Sequence, residues 1–244
     1  HGAGHIGMPH CGAGEIRHTC RENLKKGADL LKLFITPGVP EPASTFVPSF
    51  LSLEEISTAV SEGARLGIPT AAHCIGGQGL KDCIDGGVDV IEHMYMAAEQ
   101  DVERLAASRC VVDLTSGIFL DPSREEFLSP ANALKVRLNR SRVRENVARI
   151  IKARLPFVLG TDAYHGFLYR EVGYAVELGA DPVTAIQGVT SRAARVCRLE
   201  DRIGKLENGM EADIIAVEGN PLEDVSRLSQ VGLVMKGGVV YRQP

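Results

Sequence analysis

What this sequence lacks already narrows what it can be. No apolar stretch in its 244 residues reaches the roughly 18 residues that a membrane span needs. The N-terminus shows no basic, then apolar, then small-residue order of a signal peptide, so the chain reads as soluble. No basic run stands out, and Lys+Arg 27 against Asp+Glu 31 leaves a net charge of -4. Nucleic acid and an anionic membrane are therefore not expected as partners, and a small molecule is the better default. No C-x-x-C pair occurs: Cys11, Cys20, Cys74, Cys83, Cys110 and Cys197 are scattered, several of them in apolar runs. A chain this long does not need disulfide staples, so reduced, buried thiols in a cytoplasmic protein are expected. A homo-oligomer is compatible with this composition. No Met opens the chain either. It begins His1-Gly-Ala-Gly-His-Ile-Gly-Met-Pro-His10, which reads like the interior loop of an active site, and the chain is expected to start partway through a longer protein.

What is there is an alternation of apolar runs with helix-length segments. The runs lie near residues 29, 68, 88, 110 and 156. Helical spacing follows or precedes each: Glu15 to Gly27, Ser52 to Leu66 opened by the capping box Ser52-Leu-Glu-Glu55, Gly77 to Asp85, Glu99 to Ser108, Phe167 to Leu178 and Pro182 to Cys197. Asp121 to Ala153 is long, polar and Arg-rich, and reads as one or two helices with solvated faces. Pro37 to Pro48 is a Pro-rich loop, long enough to be functional. Strands alternating with helices imply a parallel sheet, either a barrel or a doubly wound sheet. A closed barrel needs eight units and five are legible, so three would be missing. From Gly204 the character changes to short β segments, with Lys236-Gly-Gly as a hairpin signal. The expected division is residues 1–203 and residues 204–244.

The chemistry-bearing residues recur at one place in these units. Lys32, His73, His93 and Asp162 each sit in or just after an apolar run. If the runs are parallel strands, that is the face where barrel enzymes carry their chemistry. Neutral imidazole and carboxylate suit a borderline metal such as zinc, and Asp162 could take a proton from an activated water and pass it to a leaving amine. Lys32 becomes a ligand only if deprotonated, or if carbon dioxide converts it to a carbamate. Each residue also has a plain reading: a hydrogen-bonded core histidine, a snorkelling lysine, a helix-capping aspartate. Gly76-Gly-Gln-Gly79 lacks the spacing and the Lys-Ser/Thr of a P-loop and reads as a tight strand-to-helix turn. Four suitable residues at equivalent places carry more weight than any one of them.

Taken together, Gly27-Ala-Asp-Leu-Leu-Lys32 with Thr36-Pro-Gly, Ala72-His73, Gly87-Val-Asp-Val-Ile-Glu-His93, Leu159-Gly-Thr-Asp162 and the tail from Asp201 to Leu222 resemble the amidohydrolase superfamily. The nearest branch is the imidazolonepropionase-like and Xaa-Pro dipeptidase-like one. That resemblance implies a (β/α)8 TIM-type barrel, here strands four to eight, with part of a β-sandwich at the C-terminus. It implies two zinc ions, a carbamate on Lys32 as bridge, His73 and His93 as ligands, and Asp162 as ligand and proton shuttle. It further implies His5 and Tyr95 as contacts for a substrate carboxylate, both weaker matches. The expected activity is hydrolysis of an amide bond in a dipeptide or N-acyl amino acid through a zinc-bound hydroxide. A cyclic amide or imidazolone remains open within the same chemistry, and a one-metal deaminase on the same barrel would need no modified lysine. The first-strand His-x-His of the family has no counterpart here, which leaves a second reading open: a catalytically incomplete fragment that needs a complementary chain.

Overall fold

The computed structural model describes residues 9–42, 44–162 and 165–243, apart from the side chain of residue 165. The chain begins with α1 (Gly12–Lys25), β1 (Leu31–Phe34), α2 (Leu53–Ala64), β2 (Thr70–Cys74), α3 (Gly77–Asp85), β3 (Val90–His93), α4 (Glu99–Ala106) and β4 (Val111–Leu114). It continues through α5 (Gly117–Leu120), a 3-10 turn (Pro122–Phe127), α6 (Pro130–Lys152), β5 (Phe157–Leu159), α7 (Leu168–Glu177), α8 (Pro182–Gly188) and α9 (Ser191–Val196). β6 (Ile214–Val217), β7 (Val231–Lys236) and β8 (Val239–Arg242) close it. Strands β1 to β5 form one sheet in sequence order with every pairing parallel, and β6 to β8 form a separate antiparallel sheet. Each parallel connection carries a helix, as parallel pairing requires.

The local reasons are readable. Ser52 and Glu55 form the expected capping box: the Ser52 hydroxyl accepts from the Glu55 N–H at 3.4 Å, and the Ser52 N–H donates to Glu55 Oε2 at 2.8 Å. Gly237 and Gly238 both have positive φ, which lets the two-residue turn match the twist of β7 and β8. The segment read as one helix from Pro182 to Cys197 is two, α8 and α9. Gly188 packs tightly on Leu159 and Phe157, and the chain turns at Val189 and Thr190 before resuming.

The outer face of the parallel sheet is the core, with Ile56, Ala59, Ile91, Val112 and Ile150 fully buried. The inner face is set by register. Phe34, His73, Glu92, Asp113 and Val158 are successive partners across the sheet and share a row. Since alternate residues of a strand face alternate sides, this row lies one pleat above Lys32 and Ala71 on the same face. All six cysteines are free thiols, four of them buried. Among the described residues no helix is long and apolar enough to cross a membrane.

Candidate active site

His93 is out of phase with that row. It pairs with Cys74, whose side chain is buried on the outer side, so a regular strand would turn the imidazole outward. The backbone prevents this: His93 has φ 78 and Met94 φ 52, both left-handed. Such residues cost on the order of 1–2 kcal/mol each and persist where the surroundings over-determine them, typically at functional sites. The turn swings the His93 ring back beside His73, at 4.5 Å between centroids and 60° between planes. His73 in turn stacks flat on Phe34 at 4.0 Å.

Each ring has one nitrogen committed to the protein. His73 Nε2 lies 3.1 Å from the Pro37 carbonyl and donates to it, so Nδ1 carries the lone pair. His93 Nδ1 lies 2.7 Å from Thr115 Oγ1, and its Nε2 faces Glu92 Oε2 at 3.7 Å. Burial holds His73 down to about 4, and burial, with His73 and Lys32 nearby, holds His93 well below the usual imidazole value. Both rings are neutral near pH 7 with one nitrogen fixed, which is how proteins prepare imidazole ligands.

Lys32 belongs to this group through Glu92, with which it forms an ion pair, while 45% of its side chain remains exposed. Glu92 thus bridges Lys32 and His93. On β4, Asp113 lies against Gly160, where an added Cβ would come within 2.9 Å of Asp113 Oδ2. Its Oδ1 is buried with no hydrogen-bond partner among the described residues, and burial with Glu92 nearby pushes its carboxyl up to about 7. Asp162 follows β5, again in left-handed backbone at φ 48. The residue is exposed as a whole, yet loss of water around its carboxyl pushes it above the ordinary value, while Lys32 and Arg124 pull it back.

Tyr95 follows the left-handed pair His93 and Met94. It is 2% exposed, and its hydroxyl donates to the Thr115 carbonyl at 2.9 Å and meets Thr115 Oγ1 at 2.6 Å. Its hydroxyl is therefore inside the protein beside His93, where Thr115 offers two oxygens. His5 lies outside the described residues.

The polar stretch read as solvated helix faces is also used differently. α6 sends side-chain donors to loop carbonyls at the C-terminal ends of three strands. Asn139 bonds the Pro40 carbonyl at 3.1 Å and Arg142 the Ser44 carbonyl at 2.7 Å, both after β1. Asn146 bonds the Tyr95 carbonyl at 2.7 Å after β3, and Arg140 bonds the Phe119 carbonyl at 2.6 Å after β4. Composition alone reads such residues as solvated; tertiary packing gives them backbone partners.

Glu92, Asp113, Thr115 and the buried pair Arg124–Glu171 are the neighbours that residue spacing missed. Asp113 in Val111-Val112-Asp113-Leu114 carried the same signal as Lys32, a charge inside an apolar run. The donor chemistry suits a divalent cation: two neutral imidazoles side by side, and a buried carboxylate oxygen without a partner. Among the described residues no three His, Cys, Asp or Glu side chains converge closely enough to form a complete cage.

The sequence profile of the Amidohydrolase family matches residues 4–240. Ochratoxinase from Aspergillus niger is 32% identical over 248 residues, covering 96% of this chain and 50% of that protein. The imidazolonepropionase of Kosmotoga olearia is 23% identical over 227 residues, 91% of this chain and 51% of that protein. Among solved structures, a Xaa-Pro dipeptidase with methionine bound in its active site superposes with a TM-score of 0.85 at 29% identity, over 97% of this chain and 61% of that one. The crystal structure of the A. niger ochratoxinase gives a TM-score of 0.82 at 28% identity, over 96% and 55%. The chain spans about half the length of the curated relatives it matches.

Proposed function

The chain belongs to the amidohydrolase family, and on that premise we propose a metal-dependent hydrolase that cleaves the amide bond of a dipeptide or N-acyl amino acid. In this reading β1 to β5 are strands four to eight of a TIM-type barrel within residues 1–203, and residues 204–244 are a β-sandwich segment. The observation that carries it is the His73–His93 pair, neutral, adjacent and each fixed through one ring nitrogen. The dipeptidase and ochratoxinase likenesses support an amide substrate.

His73 and His93 would hold zinc, with Asp162 and a Lys32 carbamate completing the set. When bound, zinc supplies a Lewis acid that polarises the amide carbonyl and activates a water. Carboxylation would turn Lys32 from cation to anion, so its pairing with Glu92 would give way. The protein does the rest. Thr115 fixes the His93 ring, and the Pro37 carbonyl fixes His73. Asp162 accepts the proton of the attacking water at its carboxylate, an uptake its raised pKa favours, and hands it to the more basic nitrogen of the leaving amine.

A second reading is favoured because, among the described residues, β1 and β5 are each paired on one side only and no ligand cage closes: a catalytically incomplete unit that needs a complementary chain. One experiment separates them. Zinc-loaded protein is assayed on a panel of Xaa-Pro dipeptides and N-acyl amino acids, with metal content and the mass at Lys32 read in parallel. About two zinc per chain, one added carbon dioxide on Lys32 and release of amine are expected. Stoichiometric zinc with no amine released from any substrate overturns the hydrolase, and little zinc together with a stable complex with a second polypeptide supports the incomplete unit.

A further inference from the structure

Arg124 and Glu171 lie outside the residues given a role above, and both are completely buried. Arg124 sits in the 3-10 turn after α5, and Glu171 sits on α7. Their contact is 2.9 Å between Arg124 Nη2 and Glu171 Oε1. The Gly117 N–H donates to both Glu171 oxygens at 3.0 Å each. Asp121 Oδ2 lies 3.7 Å from Arg124 Nε, and the Phe167 ring centroid lies 5.4 Å from the guanidinium carbon. The other arm of the fork, Nη1, donates to the Thr161 carbonyl at 3.2 Å.

That last contact makes the pair more than packing. The Thr161 carbonyl belongs to the peptide unit that leads into Asp162, whose φ is 48. A peptide plane is rigid, so holding its carbonyl fixes both the preceding ψ and the following φ. A left-handed aspartate left to itself would relax to the ordinary basin and carry its carboxylate away. Burying a guanidinium and a carboxylate together costs desolvation that apolar residues would avoid, and the planar fork meets two acceptors on two elements with two separate nitrogens, whereas an ammonium has one. Gly117 is part of the same device, since a Cβ there would sit 2.4 Å from Glu171 Oε1 and 2.5 Å from Arg124 Nη2.

We propose that the Arg124–Glu171 pair, seated on Gly117, is a positioning latch that holds the Thr161–Asp162 peptide and so aims the Asp162 carboxylate into the mouth. The proposal rests on the proton-transfer place given to Asp162 above. Arg124 acts through the Thr161 carbonyl and is a positioning residue, not a catalytic one.

The test compares Arg124→Leu/Glu171→Leu, Arg124→Lys and Gly117→Ala with the parent protein, with Arg144→Ala as control on the exposed Arg144–Glu177 pair. The double substitution removes both charges together, so no uncompensated ion stays buried, and it frees the Gly117 N–H and the Thr161 carbonyl from these partners. Its kcat is expected to fall about 100-fold, as a misplacement near 1 Å does, with KM and zinc content close to the parent's. Arg124→Lys, which meets Glu171 but cannot also reach Thr161, should lose kcat likewise, and Gly117→Ala should do so from the third side. The control should keep parental kcat. Parental kcat in the folded double variant overturns the latch; should the double variant not fold, parental kcat in Arg124→Lys and Gly117→Ala does so. If the parent hydrolyses no amide, the functional reading fails on its own, and the latch is judged from crystal structures of metal-free parent and variants. An Asp162 backbone that leaves the left-handed region in the variants upholds it, and one that stays overturns it.

Discussion

On β2 and β3, loss of water keeps the imidazoles neutral: His73 is held down to about 4 and His93 well below its ordinary value. On β4 and after β5 the same loss of water works on carboxylates, pushing Asp113 up to about 7 and raising Asp162. Desolvation disfavours whichever form is charged, so it lowers one kind of group and raises the other. The mouth is thereby assembled from donors that shed their charge, and a small multivalent cation is what both sides would gain from. It binds neutral imidazole without competition from a proton, and it restores the ionised carboxylate that burial opposes. Lys32 acts on both sides, pulling the imidazoles further down and drawing Asp113 and Asp162 back toward the ionised form, while Arg124 helps to lower Asp162.

The contrast can be broken most severely on the carboxylate side. Asp162→Asn keeps the shape and removes the proton acceptor, and turnover of a dipeptide substrate should fall about 10²–10⁴-fold in steady-state assays. Arg124→Ala leaves the Glu171 carboxylate buried without its counter-charge, and urea unfolding should show a loss of about 3–5 kcal/mol.

Asp113→Asn sharpens the comparison through its pH dependence. A carboxyl whose folded value, about 7, stands above its unfolded value of 3.8 binds protons more tightly when folded. Its contribution is complete below the unfolded value and is lost as pH rises through the folded one. The asparagine does not titrate, so it should be more stable than the parent by on the order of 4 kcal/mol at pH 8, with the difference vanishing toward pH 4. Denaturation at the two pH values reads this directly, and a difference that grew toward acid would reverse the sign assigned to Asp113. On the imidazole side, Thr115→Val removes the hydroxyl that orients His93, and zinc affinity should weaken about 10–100-fold by chelator competition. Arg144→Ala, which breaks an exposed pair with Glu177, should change stability by less than about 1 kcal/mol.

The same contrast explains what could be read from the residues. The strands, the capping box at Ser52, the Gly237–Gly238 turn and the places of His73 and His93 at strand ends rest on local pattern: short apolar runs, cap chemistry and glycine turns. That His93 faces inward does not follow from period two, which turns it outward; the left-handed Met94 and His93 decide it. Glu92 and Asp113 were legible in principle as charges in apolar runs, and their neighbours Lys32, on β1, and Gly160, just after β5, come from elsewhere in the chain. Arg124 left no local trace. It stands in a stretch dense in Arg and Glu that reads as solvated, and only the convergence of α5, α7 and the end of β5 makes it, among the described residues, the largest fully buried side chain. Tyr95 illustrates the converse: position after His93 is a local fact, but where its hydroxyl ends up is set by Thr115, twenty residues on.

α6 holds main-chain oxygens of segments that follow three different strands, through Asn139, Arg142, Asn146 and Arg140. Those segments therefore share a common scaffold and do not vary independently. Transplanting the Pro37-to-Pro48 stretch from a relative to alter selectivity would leave the guest without its fastenings, so a successful exchange has to carry α6 along as a single cassette.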